Sequence, residues 1–223
     1  MQEGSLFTSE FDNAIEKAKD QATKQTPITL PEGKVKDILI TPDVRLKMKA
    51  KPVEKIDAEI IQLVSDMFLT IARSNGMGLA ANQIGVNKRV IVMDVDKLAA
   101  YEDTVPQDIL THGKFAFINP EVIEFGTRSV KWAEGCLSVP GFQFEINRPG
   151  FIVIRALDLA GNLCELRAAG LLAACVQHEI DHLDGKLFID YISKLKRDMV
   201  VKKLQKFRKK GTMVVKAHQA PSL

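Results

Sequence analysis

Gln177-His178-Glu179-Ile180-Asp181-His182 is the stretch on which the reading of the chain turns. On a helix, His178 and His182 stand four residues apart and share one face. Two imidazoles at that spacing can grip one metal ion, and Glu179, one step round, reaches toward the same place. The surroundings favour a helix from Gly170 to Asp184, with Gly185 as its C-terminal cap. The chemistry of such a pattern is hydrolytic: a metal holds and acidifies a water, and the carboxylate moves the proton. Two solvent-facing histidines would leave the glutamate at this offset, inside an apolar helix, without a task.

Two histidines do not complete such a site, which needs three protein ligands and one open corner. One large protease class takes its third ligand from His-Glu-x-x-His-x-x-Gly-x-x-His. Here Gly185 fits that glycine, but the last position is Phe188, so the peptidase reading lacks its ligand. Two cysteines offer themselves. Cys175 shares the helical face of His178, but three ligands on one helix crowd one side of a tetrahedron. Cys136 lies far upstream in Glu134-Gly135-Cys136-Leu137-Ser138-Val139-Pro140, where a glycine and a proline mark a bulged strand end. A ligand from a separate strand closes the tetrahedron better, so Cys136 is favoured and Cys175 is read as a small apolar neighbour. A structural metal in an RNA-binding module, with Cys175 as fourth ligand, is a rival. It leaves Glu179 and Gln83 without a task.

The chain has 223 residues, 46% hydrophobic and 26% charged, which is ordinary for one large globular domain. No apolar run is long enough to span a membrane. Glu3, Glu10, Asp12 and Glu16 argue against a signal or transit peptide. Three cysteines, an odd and small number, point to a reducing compartment rather than a disulfide framework. A net charge of +3 is too small for nucleic-acid binding by the whole chain.

Residues 1–35 read as a loosely ordered extension, with a thin helix within Asp12–Lys24, and the packed domain, 36–223, as beginning near Ile38. Asp57 is an N-cap for an amphipathic helix over 58–74, carried by Ile60, Val64, Met67, Phe68 and Ile71 and stopped by Asn75-Gly76. Gly76-Met77-Gly78-Leu79-Ala80-Ala81-Asn82-Gln83-Ile84-Gly85 has little side-chain bulk, so its backbone can lie close to a ligand; it lacks the endings and spacings of nucleotide loops. Strands follow at 89–95 and 115–118, the latter turned by Asn119-Pro120, with a long loop at 97–113 between them. Val122–Lys131 and Phe142–Ile146 alternate like half-buried antiparallel strands. Phe151–Leu157 and Leu163–Leu166 form a hairpin through Asp158–Asn162. A last helix over 196–209 carries Met199, Val200, Leu204 and Phe207 on one side and is densely basic.

Three segments together resemble the peptide deformylases: Gly76-x-Gly78-Leu79-Ala80-Ala81-x-Gln83, Glu134-Gly135-Cys136-Leu137-Ser138 and Gln177-His178-Glu179-x-Asp181-His182. The likeness runs from about Ile38 to about Leu195. It implies an α+β fold, with antiparallel sheets around a central metal-binding helix, an N-terminal helix and a C-terminal helix. It implies removal of the formyl group from N-terminal formyl-methionine of new polypeptides, releasing formate. The implied ligands are Cys136, His178 and His182, holding one divalent metal, Fe(II) foremost, with Zn, Ni or Co able to replace it. Glu179 is the implied proton carrier, and the Gln83 carboxamide and the Leu137 N–H are the implied donors to the developing oxyanion.

Gly78 would pair with the substrate backbone, and Met77, Leu171, Ala174 and Cys175 would line the methionine pocket. Arg148 is assigned to the substrate backbone or, as the commoner case, to the solvated surface. The basic C-terminal helix suggests docking on the ribosome; no membrane or DNA partner is expected. The setting implied is a bacterial-type cytoplasm, with an organelle as the second choice.

Overall fold

The structure is a computed structural model that describes residues 28–97, 113–209 and 214–215. The helix expected within Asp12–Lys24 and the interior of the 97–113 loop lie outside those residues. The elements are β1 (Ile38–Leu39), α1 (Ala58–Ala72), β2 (Gly78–Ala80), β3 (Val90–Asp94), β4 (Lys114–Phe125), β5 (Ser129–Gly135), β6 (Gln143–Pro149), β7 (Phe151–Leu157), β8 (Leu163–Ala169), α2 (Gly170–Leu183), α3 (Lys194–Lys209) and β9 (Val214–Val215). All named strand pairs are antiparallel. They form a five-stranded sheet in the order β2-β3-β4-β7-β8, a β5–β6 ribbon, and a short β1–β9 pair.

The five-stranded sheet is packed on both faces, and its side-chain alternation divides the core in two. Val90, Val92, Ala116 and Ile118 turn to α1 and meet Val64, Met67 and Ile71. Ile91, Met93, Phe115, Phe117, Ile152 and Ile154 turn to α2 and meet Leu172, Val176, Ile180 and Leu183. This is why β3 reads as an unbroken apolar run. A third cluster joins Ile146 of the ribbon to Phe188, Val200 and Leu204. The helix α2 therefore lies between the sheet and the ribbon, as the expected fold requires. Truncating a fully buried α2 residue such as Val176 or Leu183 to alanine would cost about 2–4 kcal/mol.

Local sequence sets the helix ends. The Asp57 carboxylate accepts the N–H groups of Glu59 and Ile60, at 3.1 and 3.2 Å, and so starts α1. The C-terminus of α2 is closed by paired bonds from Gly185 N–H to the His182 carbonyl and from Lys186 N–H to that of Asp181. Gly185 has φ +73°, and a Cβ there would stand 2.5 Å from the Lys47 carbonyl oxygen.

Several sequence expectations change, among them the strand over 122–131, which is split by a turn at 126–128 between β4 and β5. Asn119-Pro120 does not end a strand: β4 runs through it to Phe125, with a register shift against β7 between Ile118 and Glu121. Asn119 tolerates φ +52°, and its carboxamide pairs with both backbone groups of Val53, so the kink is absorbed without breaking the sheet. The packed chain also starts before Ile38. The Pro31 carbonyl, Lys34 N–H and Lys36 N–H bond to Ser65, Asp66 and Thr70 of α1. The helix α1 ends at Ala72, two residues short of the expected limit. On α3, Val200 and Leu204 are buried as expected, but Met199 is 46% exposed and drops out of the docked stripe, while the Phe207 side chain lies outside the described ones.

Candidate active site

Gln177, His178, Glu179, Asp181 and His182 are all buried, because α2 is covered on opposite sides by the sheet and the ribbon. Each polar atom there must find a partner or be held for something absent from the free protein. Cys136 enters just after β5 ends, in a turn closed by the Val139 N–H on the Cys136 carbonyl. Its Sγ lies 3.2 Å from His182 Nε2. The rings of His178 and His182 stand edge to face, with centroids 5.0 Å apart. Ligand atoms of Cys136, His178 and His182 all lie within 4.8 Å of one another, the one such group of three among the described residues. Cys175 is not part of it.

Behind His178 is a buried charge network. The His178 Nδ1–H donates to Glu134 at 2.8 Å, which leaves Nε2 for the cleft. Glu134 also accepts two hydrogen bonds from Arg148. Arg148 reaches on to Asp181 at 2.7 Å, and Asp181 accepts the Tyr191 hydroxyl at 2.9 Å. Arg148 is only 4% exposed and is absent from the cavity wall. Both readings made from the sequence, substrate contact and solvated surface, are thereby corrected: its fork is taken up by two buried carboxylates. Burial drives the Glu134 carboxyl up, but hydrogen bonds from His178 and Arg148 outweigh it and hold it below the ordinary carboxylate range. Burial also opposes charge on His178, and is outweighed by its bonds to Cys136 and Glu134. The His182 imidazole is pushed the other way, by burial and by the charge of His178.

Glu179 has no comparable partner; its Oε2 is buried without a hydrogen bond. Burial, with the charge of Glu134 behind it, pushes its pKa up to about 7. Gly78 allows this placement, since a Cβ there would lie 2.7 Å from Glu179 Oε1. The orientation of Gln83 is fixed as well. Its Oε1 accepts the Ala80 N–H at 2.8 Å, so its amide nitrogen faces Cys136 Sγ at 3.6 Å and Ser138 Oγ at 3.2 Å.

A cavity of about 640 Å³ opens over these groups. Met77, Gly78 and Gln83 line it together with Cys136, Leu137, Leu171, Ala174, Cys175, His178 and Glu179. His182 closes the site from beneath and is fully buried. Reading the sequence assigned Glu134 and Ser138 no role of their own within their motif, and passed over Trp132, which lines the cavity. Glu134 had a signal: two residues before Cys136 near a strand end, it faces the same side. Phe188, at the position of the missing protease histidine, is an apolar wall with its ring 6.0 Å from that of His178.

The family model described as polypeptide deformylase matches residues 35–198. The chain belongs to the polypeptide deformylase family. Among curated relatives, the peptide deformylase of Cellvibrio japonicus is 48% identical over 174 residues, spanning 78% of this chain and 96% of the relative. That of Pseudomonas aeruginosa is 48% identical over 170 residues, 76% of this chain and 94% of the relative. A solved peptide deformylase from Ehrlichia chaffeensis, in complex with actinonin, superposes with TM-score 0.70 at 44% identity. It covers 80% of this chain and 99% of that one. Peptide deformylases are hydrolases that remove the formyl group from the N-terminal methionine of nascent peptides, and this chain is a hydrolase of that kind. Its one sulfur and two imidazole nitrogens fit a bound metal ion. Among the described residues, no helix is long and apolar enough to cross a membrane.

Proposed function

We propose that this deformylase holds its metal through Cys136, His178 and His182 and moves protons through Glu179. The observation that carries this reading is the convergence of those three ligand atoms beside a buried, unpartnered carboxylate at the floor of one cavity. A divalent metal held by Cys136, His178 and His182 would supply Lewis acidity and acidify the attacking water. Glu179, whose carboxyl is raised by burial, takes the proton of the attacking water and returns it to the leaving amine. The Gln83 amide nitrogen and the Leu137 peptide N–H serve the formyl oxygen as negative charge builds there, and one such donor is worth about 3 kcal/mol. Glu134, held by Arg148, fixes the tautomer of His178. Thiolate plus two imidazoles suits Fe(II), with Zn, Ni or Co as substitutes.

The cavity lies between two unpaired strand edges. β2 is the outermost strand of its sheet, and β5 belongs to a two-stranded ribbon. An extended peptide can pair with the backbone of Gly76–Gly78, independent of its sequence. Its methionine side chain goes to the wall made by Met77, Leu171, Ala174 and Cys175. We place the enzyme in the cytoplasm, where its free cysteines stay reduced. The exposed lysines of α3 suit electrostatic docking on ribosomal RNA; truncation after Ser193 would abolish ribosome co-sedimentation, and unchanged sedimentation would remove this reading.

Formate release from formyl-Met peptides and from their unformylated counterparts tests the chemistry. Formate from the first and no cleavage of the second is expected. Cleavage of an internal peptide bond in either would favour a metallopeptidase, a reading already weakened by the phenylalanine at position 188.

A further inference from the structure

Lys97 stands just past β3. Its ammonium donates to three main-chain carbonyls: Ile71 at 2.8 Å, Ser74 at 2.9 Å and Gly76 at 3.1 Å. The first, in the last turn of α1, also accepts from the Ser74 N–H and hydroxyl, and the second lies just beyond it; carbonyls at a helix C-terminus favour a cation. The third belongs to the segment that enters β2 and lines the cavity. The same segment is held beside it by the Asp94 N–H on the Met77 carbonyl at 2.8 Å. Its other side faces the substrate space, where Gly76 packs so near Leu137 that a Cβ would come within 2.8 Å of Cδ1.

We infer that Lys97 is a positioning residue for peptide binding, clamping the Gly76–Gly78 backbone at the cavity wall in the form that an extended substrate pairs with. The side chain is half-buried, and its hydrogen bonds go to backbone, with the Asp94 carboxylate near enough for its charge to be felt. All three donors of the ammonium are used on backbone, which spends the entropy of a four-carbon stem on one task. None of its bonds reaches α2 or the Cys136 turn. Its loss therefore loosens the docking edge, which it holds directly, more than the reacting groups, which it does not touch, so it acts on KM more than on kcat.

The inference rests on the edge-strand docking proposed above, so the test compares a formyl-Met tripeptide with formyl-methionine amide, which reaches little beyond the pocket. Wild type is expected to bind the tripeptide better. Lys97→Met is expected to raise KM for the tripeptide about tenfold, as loss of hydrogen bonds from a charged donor does. The kcat, the metal content and the KM for the amide should stay near wild type, and Lys97→Arg should recover part of the loss. If wild type shows no preference for the tripeptide, edge docking fails and the inference goes with it. If wild type shows the preference and Lys97→Met keeps it, the clamp alone is overturned. Equal losses on both substrates would also overturn it, since they would mark a general structural role. Should Lys97→Met not fold, the same ratio is read in Lys97→Gln, which keeps two donors but no charge.

Discussion

The helices α2 and α3 are close in length, 14 and 16 residues, yet their polar side chains live under opposite conditions. On α2, Gln177, His178, Glu179, Asp181 and His182 are sealed between the sheet and the ribbon. On α3, Val200 and Leu204 are buried, while Lys194, Lys196, Lys202, Lys203 and Lys206 face water. Water satisfies any charge on α3 at little cost. On α2 an unpartnered polar atom costs about 1–3 kcal/mol, and Glu179 Oε2 and His182 Nδ1 both stand there without a hydrogen bond. The chemistry of α2 is thus constrained by its burial, and that of α3 is open.

The contrast breaks most visibly at the ligands. Cys136→Ala should lose the metal and leave only background formate release, whereas Cys175→Ala should keep both; metal analysis giving the reverse would exchange the two thiols. Next comes Glu179→Ala, expected to retain metal but to lose about 10³-fold in kcat. A near-native rate would strip the carboxylate of its proton-carrying role. Arg148→Met leaves Glu134 and Asp181 buried without their cation, and should destabilise the fold by about 3–5 kcal/mol in chemical denaturation. Removing a charge from α3 sharpens the comparison: Lys202→Ala should stay within about 0.5 kcal/mol.

A milder effect is expected on α1, where Asp66 accepts from Lys34, Lys36 and Gln62. Burial raises its carboxyl, but those bonds outweigh it and leave it below the usual value of 3.8. A carboxyl depressed by folding contributes stability above its unfolded value and loses it as pH falls through the folded one. Thermal melts should therefore show less loss below about pH 4 in Asp66→Asn than in wild type; parallel curves would contradict this.

The legible parts of the site were those written locally. His178 and His182 share a face by spacing alone, and Gly135 and Pro140 mark the strand end that presents Cys136. Arg148 was misread because its partners are distant: Glu134 lies 14 residues back and Asp181 33 residues on, and only the ribbon crossing α2 unites them. An arginine before a proline, met alone, looks like surface. Lys97 hid likewise at the edge of a loop, since its carbonyl partners carry no side-chain signature. In the sheet, Asn119-Pro120 has the chemistry of a turn, and only the pairing of Asn119 with Val53 reveals that β4 continues. The paired faces of β3 were legible as an apolar run, but not which helix covers which face.

X-ray absorption on zinc-loaded protein bears most directly on the proposal that Cys136, His178 and His182 hold the metal. One sulfur near about 2.3 Å, two imidazole nitrogens near about 2.0–2.1 Å and a light, exchangeable fourth donor are expected. Loss of the sulfur shell in Cys136→Ser would complete the assignment. Two sulfurs, or four protein ligands that shut out solvent, would contradict it.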